Sequence, residues 1–412
     1  MEASSVRQLN DYVYTPLNRK WDIKVLKSAA IYGANASGKS NLLRGFAFMK
    51  YFVLNSFNDA NKPSAHSISP FLLNTKSTVE PSAFEVTFIY NEIKYRYGFE
   101  ILNKEIHSEW LFYAEPKVRE NNFFTRTKQE FRYSKSWNKE IRGQADVFIS
   151  NFTKSNVLFI TVLGQFNIEI GLNIIAWFNN CLIGFDLNND FYIHNTASLL
   201  KNEEYSRKIH MLIQEAQLGF TSLEARIVDK YKMNDKYSIE FLLLALGNEL
   251  DKYEILTKHD IFNDKGKLVS SVFFDLFTQE SVGTQKFIAL IGSLIVGIKN
   301  KTVLFIDELD SRLHPLLLET IVKFFSSSKH NPEGAQLIFT SHSTHLLKRK
   351  IRRDQIFTVE KNKHGESIIK SIHGEDKNIR TDASYEKEYL SGKYGGIPKI
   401  NPNNLQLDLF DE

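Results

Sequence analysis

One stretch constrains the fold of this chain more than any other. Residues 31–43 read IYGANASGKSNLL, and Gly33, Gly38, Lys39 and Ser40 occupy the four fixed positions of G-x-x-x-x-G-K-[ST]. The preceding VLKSAAIYG is apolar enough to be a buried strand, and SNLLRGFAFMKYFVLNSF reads as a helix. Strand, glycine-rich turn and helix in that order make a phosphate cradle. Backbone N–H groups turn inward, and the helix N-terminus adds a positive partial charge. Lys39 is spaced to reach the β- and γ-phosphates of a nucleoside triphosphate, and the Ser40 hydroxyl to ligate Mg²⁺. An ordinary glycine-rich turn would require none of these four positions together.

A cradle alone does no chemistry, so the next question is where the acids lie. KTVLFIDELD, residues 301–310, is an apolar strand ending in Asp307 and Glu308. A carboxylate at a strand tip suits Mg²⁺ held through water, which assigns Asp307 to the metal. Its neighbour Glu308 is the natural general base for an attacking water. Strands often end in acids; the upstream cradle is what gives this pair meaning. LIFTSHSTHLL, residues 337–347, runs from a strand into a turn with His342 at the tip, within reach of a γ-phosphate or its attacking water. A third segment, QESVGTQKF at 279–287, places Ser281, Gly283 and Thr284 at the mouth of the apolar run FIALIGSLIVGI. Ser281 is also a good helix N-cap in its own right.

The remaining organisation is mixed. AFEVTFIY and IKYRYGFEIL flank Asn91-Glu92 as a β-hairpin, and EIHSEWLFYA continues it as a meander. Residues 117–142 interleave Lys117, Arg119, Arg126, Lys128, Arg132, Lys135, Lys139 and Arg142 with Phe123, Phe124, Phe131, Tyr133 and Trp137. That pattern suits nucleic acid, and equally an exposed sheet with solvated basic side chains. From 145 to 217 the spacing turns helical, as in IEIGLNIIAWFNNCLI and EEYSRKIHMLIQEAQL. Strands return over 222–278. With 412 residues, 42% of them hydrophobic, there is material for two or three cores, and a net charge of +4 forces no polyanionic partner. The single cysteine, Cys181, permits no intrachain disulfide and suits a reducing cytosol, so a cytoplasmic location is expected. The N-terminus has no apolar signal-like core, and the apolar run 287–298 is too short to span a bilayer, so no membrane partner is expected.

The motif order is similar to that of an ABC-type ATPase head. Gly33-Ala34-Asn35-Ala36-Ser37-Gly38-Lys39-Ser40-Asn41, Ser281-Val282-Gly283-Thr284, IDELDSRLHP and FTSHSTHLL together resemble the SMC/OLD-like ABC-type AAA ATPases. Within these the chain looks most like the AbiL/RloA-type ATP-binding proteins of prokaryotic phage-defence or restriction-linked operons. Its closing YEKEYLSGKYGGIPKI also resembles the C-terminal end of that group. The resemblance implies an α/β P-loop NTPase of ABC-ATPase head type, with an antiparallel β lobe and a helical insertion between the P-loop (Walker A) and the signature. The implied segments are 1–60 and 221–372 for the two parts of the ATPase core, 61–144 for the β lobe, 145–220 for the helical insertion and 373–412 for a C-terminal tail. It implies Mg²⁺-dependent ATP hydrolysis, with Gly33, Asn35, Ala36, Gly38, Lys39, Ser40 and Asn41 on the nucleotide. Glu308 and His342 are then catalytic, and Ser40 and Asp307 hold the metal. Gln165, in LFITVLGQFN, joins them as a Q-loop residue after a strand-like run.

By the same resemblance Ser281, Gly283 and Thr284 act in trans, across a homodimer closed by an ATP sandwich. Higher oligomers are left open. Such an ATPase would be a conformational switch, the sensor or regulator of a separately encoded effector in an abortive-infection system. Two other readings stay open: an SMC-like DNA-binding clamp, with nucleic acid as partner, and the ATP subunit of a transporter. There are departures from the pattern. Only about 25 residues precede the P-loop strand, so the chain is expected to begin inside a longer segment and to lack a strand near the adenine. His314 stands where transporter-type heads carry Asp. About 70 residues follow His342, too few for the Toprim nuclease domain of OLD proteins, so no nuclease site is expected.

Overall fold

The computed structural model describes residues 1–6, 9–15, 23–61, 69–134, 147, 151–185, 190–230, 251–348, 350–375 and 384–398. Its centre is a six-stranded sheet of β3 (Ser28–Gly33), β9 (Cys181–Gly184), β13 (Val303–Ile306), β14 (Gln336–Thr340), β15 (Ile356–Lys361) and β16 (Ser367–Ser371). Across the sheet the order is β16-β15-β3-β14-β13-β9. All pair in parallel except β16, which is antiparallel to β15. β3 is buried at all six positions, as expected for a strand covered on both faces. One strand, β14, separates β3 from β13. The P-loop, the Asp307-Glu308 pair and His342 therefore leave three adjacent strands at the same carboxyl edge, where open α/β sheets bind ligands.

Two helical layers cover this sheet. On one side α1 (Lys39–Asn55) shares a core with α2 (Phe159–Gln165) and α3 (Glu169–Asn179). On the other lie α4 (Asp190–Leu199), α5 (Glu203–Ala216), α7 (Val282–Lys299) and α8 (Pro315–Ser326), in the largest hydrophobic cluster. By length and composition α7 could cross a membrane, yet 72% of it is buried inside the fold, between α4, α5 and the sheet. A five-stranded antiparallel meander packs on the α1 side: β4 (Ser82–Tyr90), β5 (Ile93–Leu102), β6 (Glu105–Ala114), β7 (Asn121–Thr127) and β8 (Glu130–Tyr133). Near the N-terminus β1 (Val13–Tyr14) pairs with β2 (Val25–Leu26).

The structure cuts the chain differently from the expected boundaries in three places. The 145–220 segment is not purely helical: it supplies β9, which pairs with β13 at the edge of the central sheet. β10 (Ser222–Lys230), β11 (Asp251–Phe262) and β12 (Leu268–Asp275) form their own antiparallel sheet ahead of the short α6 (Leu276–Gln279), rather than part of the core sheet. The expected tail begins as α9 (Ile372–Glu375), and α10 (Tyr385–Leu390) with the residues after it docks on the body, putting Tyr385, Tyr389 and Tyr394 into the main core.

The basic and aromatic stretch is divided between core and surface: Lys117, Arg119, Lys128 and Arg132 are exposed. Phe123, Phe124 and Arg126 are buried. Arg126 donates to the carbonyl oxygens of Lys128, Lys154 and Val157 at 2.6, 3.0 and 2.7 Å and pairs with the equally buried Glu109 at 3.4 Å. Glu109 in turn accepts the N–H groups of Phe159 and Ile160, the first of α2. Arg126 thus binds β7 to the start of a helix, and no phosphate is needed to balance it. Lys135, Trp137, Lys139 and Arg142 lie outside the described residues.

Candidate nucleotide site

The turn between β3 and α1 is shaped by backbone conformations that few residues adopt. Ala36 has φ of 60° and Gly38 of 108°, both left-handed. A side chain on Gly38 would also collide with Ser367 Oγ, which donates to the carbonyl of Ser37 at 2.7 Å. Helix α1 starts at Lys39 with no side-chain cap on its first turn, so its N-terminal donors remain for a ligand. The Ser37 hydroxyl is buried inside the turn with no hydrogen-bond partner among the described residues. Lys39 is buried and folds back, its ammonium donating to the carbonyls of Gly33 at 2.8 Å and Ala34 at 3.1 Å. Burial lowers its pKa, while the carboxylates of Asp307, Glu308 and Asp310 hold it up. Asn35 and Asn41 are exposed at the rim, and Ser40 is half-buried in the first turn of α1.

The acids are fixed by one residue that sequence reading passed over. Thr340, the last of β14, donates through Oγ1 to Asp307 Oδ1 at 2.6 Å and accepts the N–H of Glu308 at 2.7 Å. Its own carbonyl accepts from Leu309. The only signal in the sequence is a small hydroxyl residue at the end of a strand beside the acidic one. Glu308 has φ of 48°, an uncommon conformation for a glutamate, and its side chain is exposed at the sheet edge. Its carbonyl accepts from Lys286 Nζ at 2.8 Å, which ties α7 to the acidic turn. His342 is exposed, and its N–H donates to Asp310 Oδ2 at 2.9 Å. Asp310 thus sets the path of the histidine turn, a role also absent from the sequence reading.

Ser281 caps α7: its Oγ accepts the N–H of Thr284 at 3.1 Å and lies 2.9 Å from the Thr284 hydroxyl. Ser281 and Val282 are exposed. Gly283 is required by packing, because a Cβ there would sit 2.7 Å from the Arg312 carbonyl oxygen. The signature therefore lies directly against the loop that follows Asp307-Glu308. His314, which departs from the transporter-type pattern, caps α8 by accepting the N–H of Leu316 at 3.3 Å. Gln165 is corrected. Phe159–Gln165 is helical, and the exposed Gln165 ends α2 instead of following a strand of the central sheet. The strand on the outer side of β13 is β9, whose Gly184 carbonyl accepts the N–H of Asp307 at 2.9 Å. The chain leaving β9 at Phe185 is the one beside the acids, and residues 186–189 lie outside the described residues.

Taken together, these groups fit a magnesium-bound nucleoside triphosphate. The orphaned Ser37 hydroxyl, the uncapped α1 N-terminus and Lys39 suit phosphate oxygens, and Ser40 with Asp307 is a hard-oxygen pair of the kind Mg²⁺ takes. Bound there, Mg²⁺ would neutralise charge on the phosphates. Glu308 and His342 are exposed just past the ends of β13 and β14, at the same sheet edge as the cradle.

The sheet order and this site define a P-loop ATPase of ABC head type. The chain belongs to the family described as AAA domain, putative AbiEii toxin, Type IV TA system, which matches residues 28–348. Among solved structures it is similar to the SMC head domain from Thermotoga maritima, at 13% identity and TM-score 0.32 over 85% of this chain and 94% of that one. It is also similar to the recombination mediator protein RecF of the RecFOR pathway. The RecF-ATP structure gives 15% identity and TM-score 0.31 over 84% and 93% of the two chains. The RecF-ATPrS structure gives 16% and 0.29 over 85% and 95%. No curated protein matches the chain.

Proposed function

We propose that this protein is a cytosolic Mg²⁺-dependent ATPase that works as a conformational switch: ATP closes a homodimer and hydrolysis opens it. The observation that carries the reading is the second helix N-terminus. Ser281 and Gly283 open α7 at an exposed position against the acidic loop, while the P-loop of the same chain already has α1 and Lys39. Two uncapped or hydroxyl-lined helix starts suit one γ-phosphate when they come from two chains. In this reading Glu308 takes the proton of the attacking water and His342 contacts the γ-phosphate side. The family's description links it to a toxin–antitoxin system, and within such a system the role proposed here is the regulator of a separately encoded effector.

Three variants test this. Lys39→Ala loses nucleotide affinity. Glu308→Gln keeps affinity, traps ATP and accumulates as a dimer by light scattering. Ser281→Arg binds ATP as a monomer and does not close. Mixing Lys39→Ala with Ser281→Arg puts both lesions in one composite site and leaves the other intact, so part of the ATPase rate returns. A rate independent of protein concentration, with no rescue in verified mixed dimers, overturns the trans reading.

A further inference from the structure

The joint that carries the signature is held from outside its own helix. Glu280 sits between α6 and α7, in extended conformation, and bears Ser281 directly. Its side chain is only 9% exposed, and Oε1 accepts from Thr257 Oγ1 at 2.6 Å and faces His259 Nε2 at 2.7 Å. Against a carboxylate the imidazole presents an N–H. Thr257 and His259 lie two apart on β11, so both side chains leave the same face of the three-stranded sheet. The His259 ring is clamped in turn, 4.4 Å from the Phe274 ring of β12 and 5.9 Å from that of Phe220. From the helix side, Gln285 Nε2 donates to the carbonyls of Phe277 and Glu280, both at 3.2 Å.

These contacts are not what keeps α7 folded. From Phe287 to Gly297 every residue of α7 is buried, and that burial holds the helix. What His259 and Thr257 constrain is the short joint at its exposed start, where a small rotation of Glu280 re-aims Ser281. We propose that His259 is a positioning residue for the signature: through Glu280 it fixes the direction of Ser281 and couples the β10–β12 sheet to ATP-driven closure of the dimer. The inference rests on the ATP-sandwich reading above.

The test uses the full chain in the Glu308→Gln background, which closes on ATP without turning over. Three quantities are measured: nucleotide affinity of the dilute monomer with a fluorescent ATP analogue, ATP-dependent dimerisation by analytical ultracentrifugation, and the melting temperature. Adding His259→Ala weakens dimerisation by about 10- to 100-fold, the scale of one charge-assisted hydrogen bond, at unchanged monomer affinity. His259→Gln, whose amide can still donate to Glu280, recovers most of the loss, whereas His259→Met, which fills the same space without a donor, does not. Dimerisation equal to the background in His259→Ala overturns the proposal. So does a parallel fall in monomer affinity, or a His259→Gln variant as defective as alanine. If Glu308→Gln alone stays monomeric in saturating ATP, the sandwich reading fails first and takes this inference with it.

Discussion

Lys39 and Arg126 are both buried cations, and both lie in stretches whose sequence suggested a negatively charged ligand. Lys39 donates to two loop carbonyls, at the edge where three carboxylates face it. A phosphate can draw Lys39 away from the part-buried Ala34 carbonyl, because the loop is open to solvent at Asn35 and Ala36. Arg126 is saturated by three carbonyls and by Glu109, deep between β7 and α2. The difference lies in the partners, and most of those partners are remote in sequence. A basic residue near aromatics says only that a charge must be balanced; the fold decides whether protein or ligand balances it.

The contrast fails most visibly if Arg126 can be removed cheaply. Arg126→Ala leaves Glu109 as a buried carboxylate without its cation, and the expected cost is about 3–5 kcal/mol by denaturant unfolding. Lys39→Ala in the same assay costs less, about 1–2 kcal/mol, since it leaves no buried charge without its partner, while ATP affinity falls. An Arg126→Ala protein as stable as the parent would remove the distinction drawn between the two cations.

A third buried cation extends the contrast along one helix. Lys50 lies on α1, the helix that Lys39 begins, and its ammonium donates to the Cys181 carbonyl at 2.5 Å. Burial pulls its pKa down to about 7. An unfolded lysine titrates near ~10.4, so between about pH 7 and pH 10 the unfolded chain binds more protons and stability rises with pH. Below pH 7 both states are charged, and the cost of burying the charge is present in full. Lys50→Met therefore stabilises the protein at pH 6 by on the order of 2 kcal/mol and flattens the rise in melting temperature between pH 7 and 10. An unchanged pH profile in the variant would assign the rise to other groups.

The same contrast explains what was legible in the sequence. The P-loop, Asp307-Glu308, Ser281-Gly283 and His342 could be picked out because each is a local pattern; the structure adds their positions, at the ends of β3, β13 and β14 and at the start of α7. The meander of β4 to β6 was readable from alternation around Asn91-Glu92. β9 was not, because four residues between helices carry no period of their own, and Gln165 was misplaced for the same reason. Thr340, Asp310 and His259 act on residues 21 to 33 positions away, through contacts that only the sheet creates. Docking of Tyr389 and Tyr394 onto the core likewise depends on a partner, Tyr32 of β3 in the case of Tyr389, that no local window contains.

The smallest expected effect falls on the outward half of the basic stretch. Lys128 and Arg132 are exposed on the β7–β8 hairpin, and acids stand among them: Glu130 within the hairpin, and Glu120 just before β7, paired with Arg96 at 2.6 Å. Charges so interleaved make a weak field for a polyanion. Replacing both Lys128 and Arg132 with Glu should change stability by less than about 0.5 kcal/mol and leave ATP turnover unaltered. Arg126 must stay in place, since its removal would destabilise the lobe and could mimic a binding defect. If these two residues bind nucleic acid, the double variant lowers affinity for duplex DNA and reduces the slope of log affinity against log salt by about two, one for each phosphate no longer neutralised. The expected result is no change in either quantity, because Arg126, Phe123 and Phe124 are consumed inside the protein and the exposed Lys128 and Arg132 stand beside the exposed Glu130, which weakens their field.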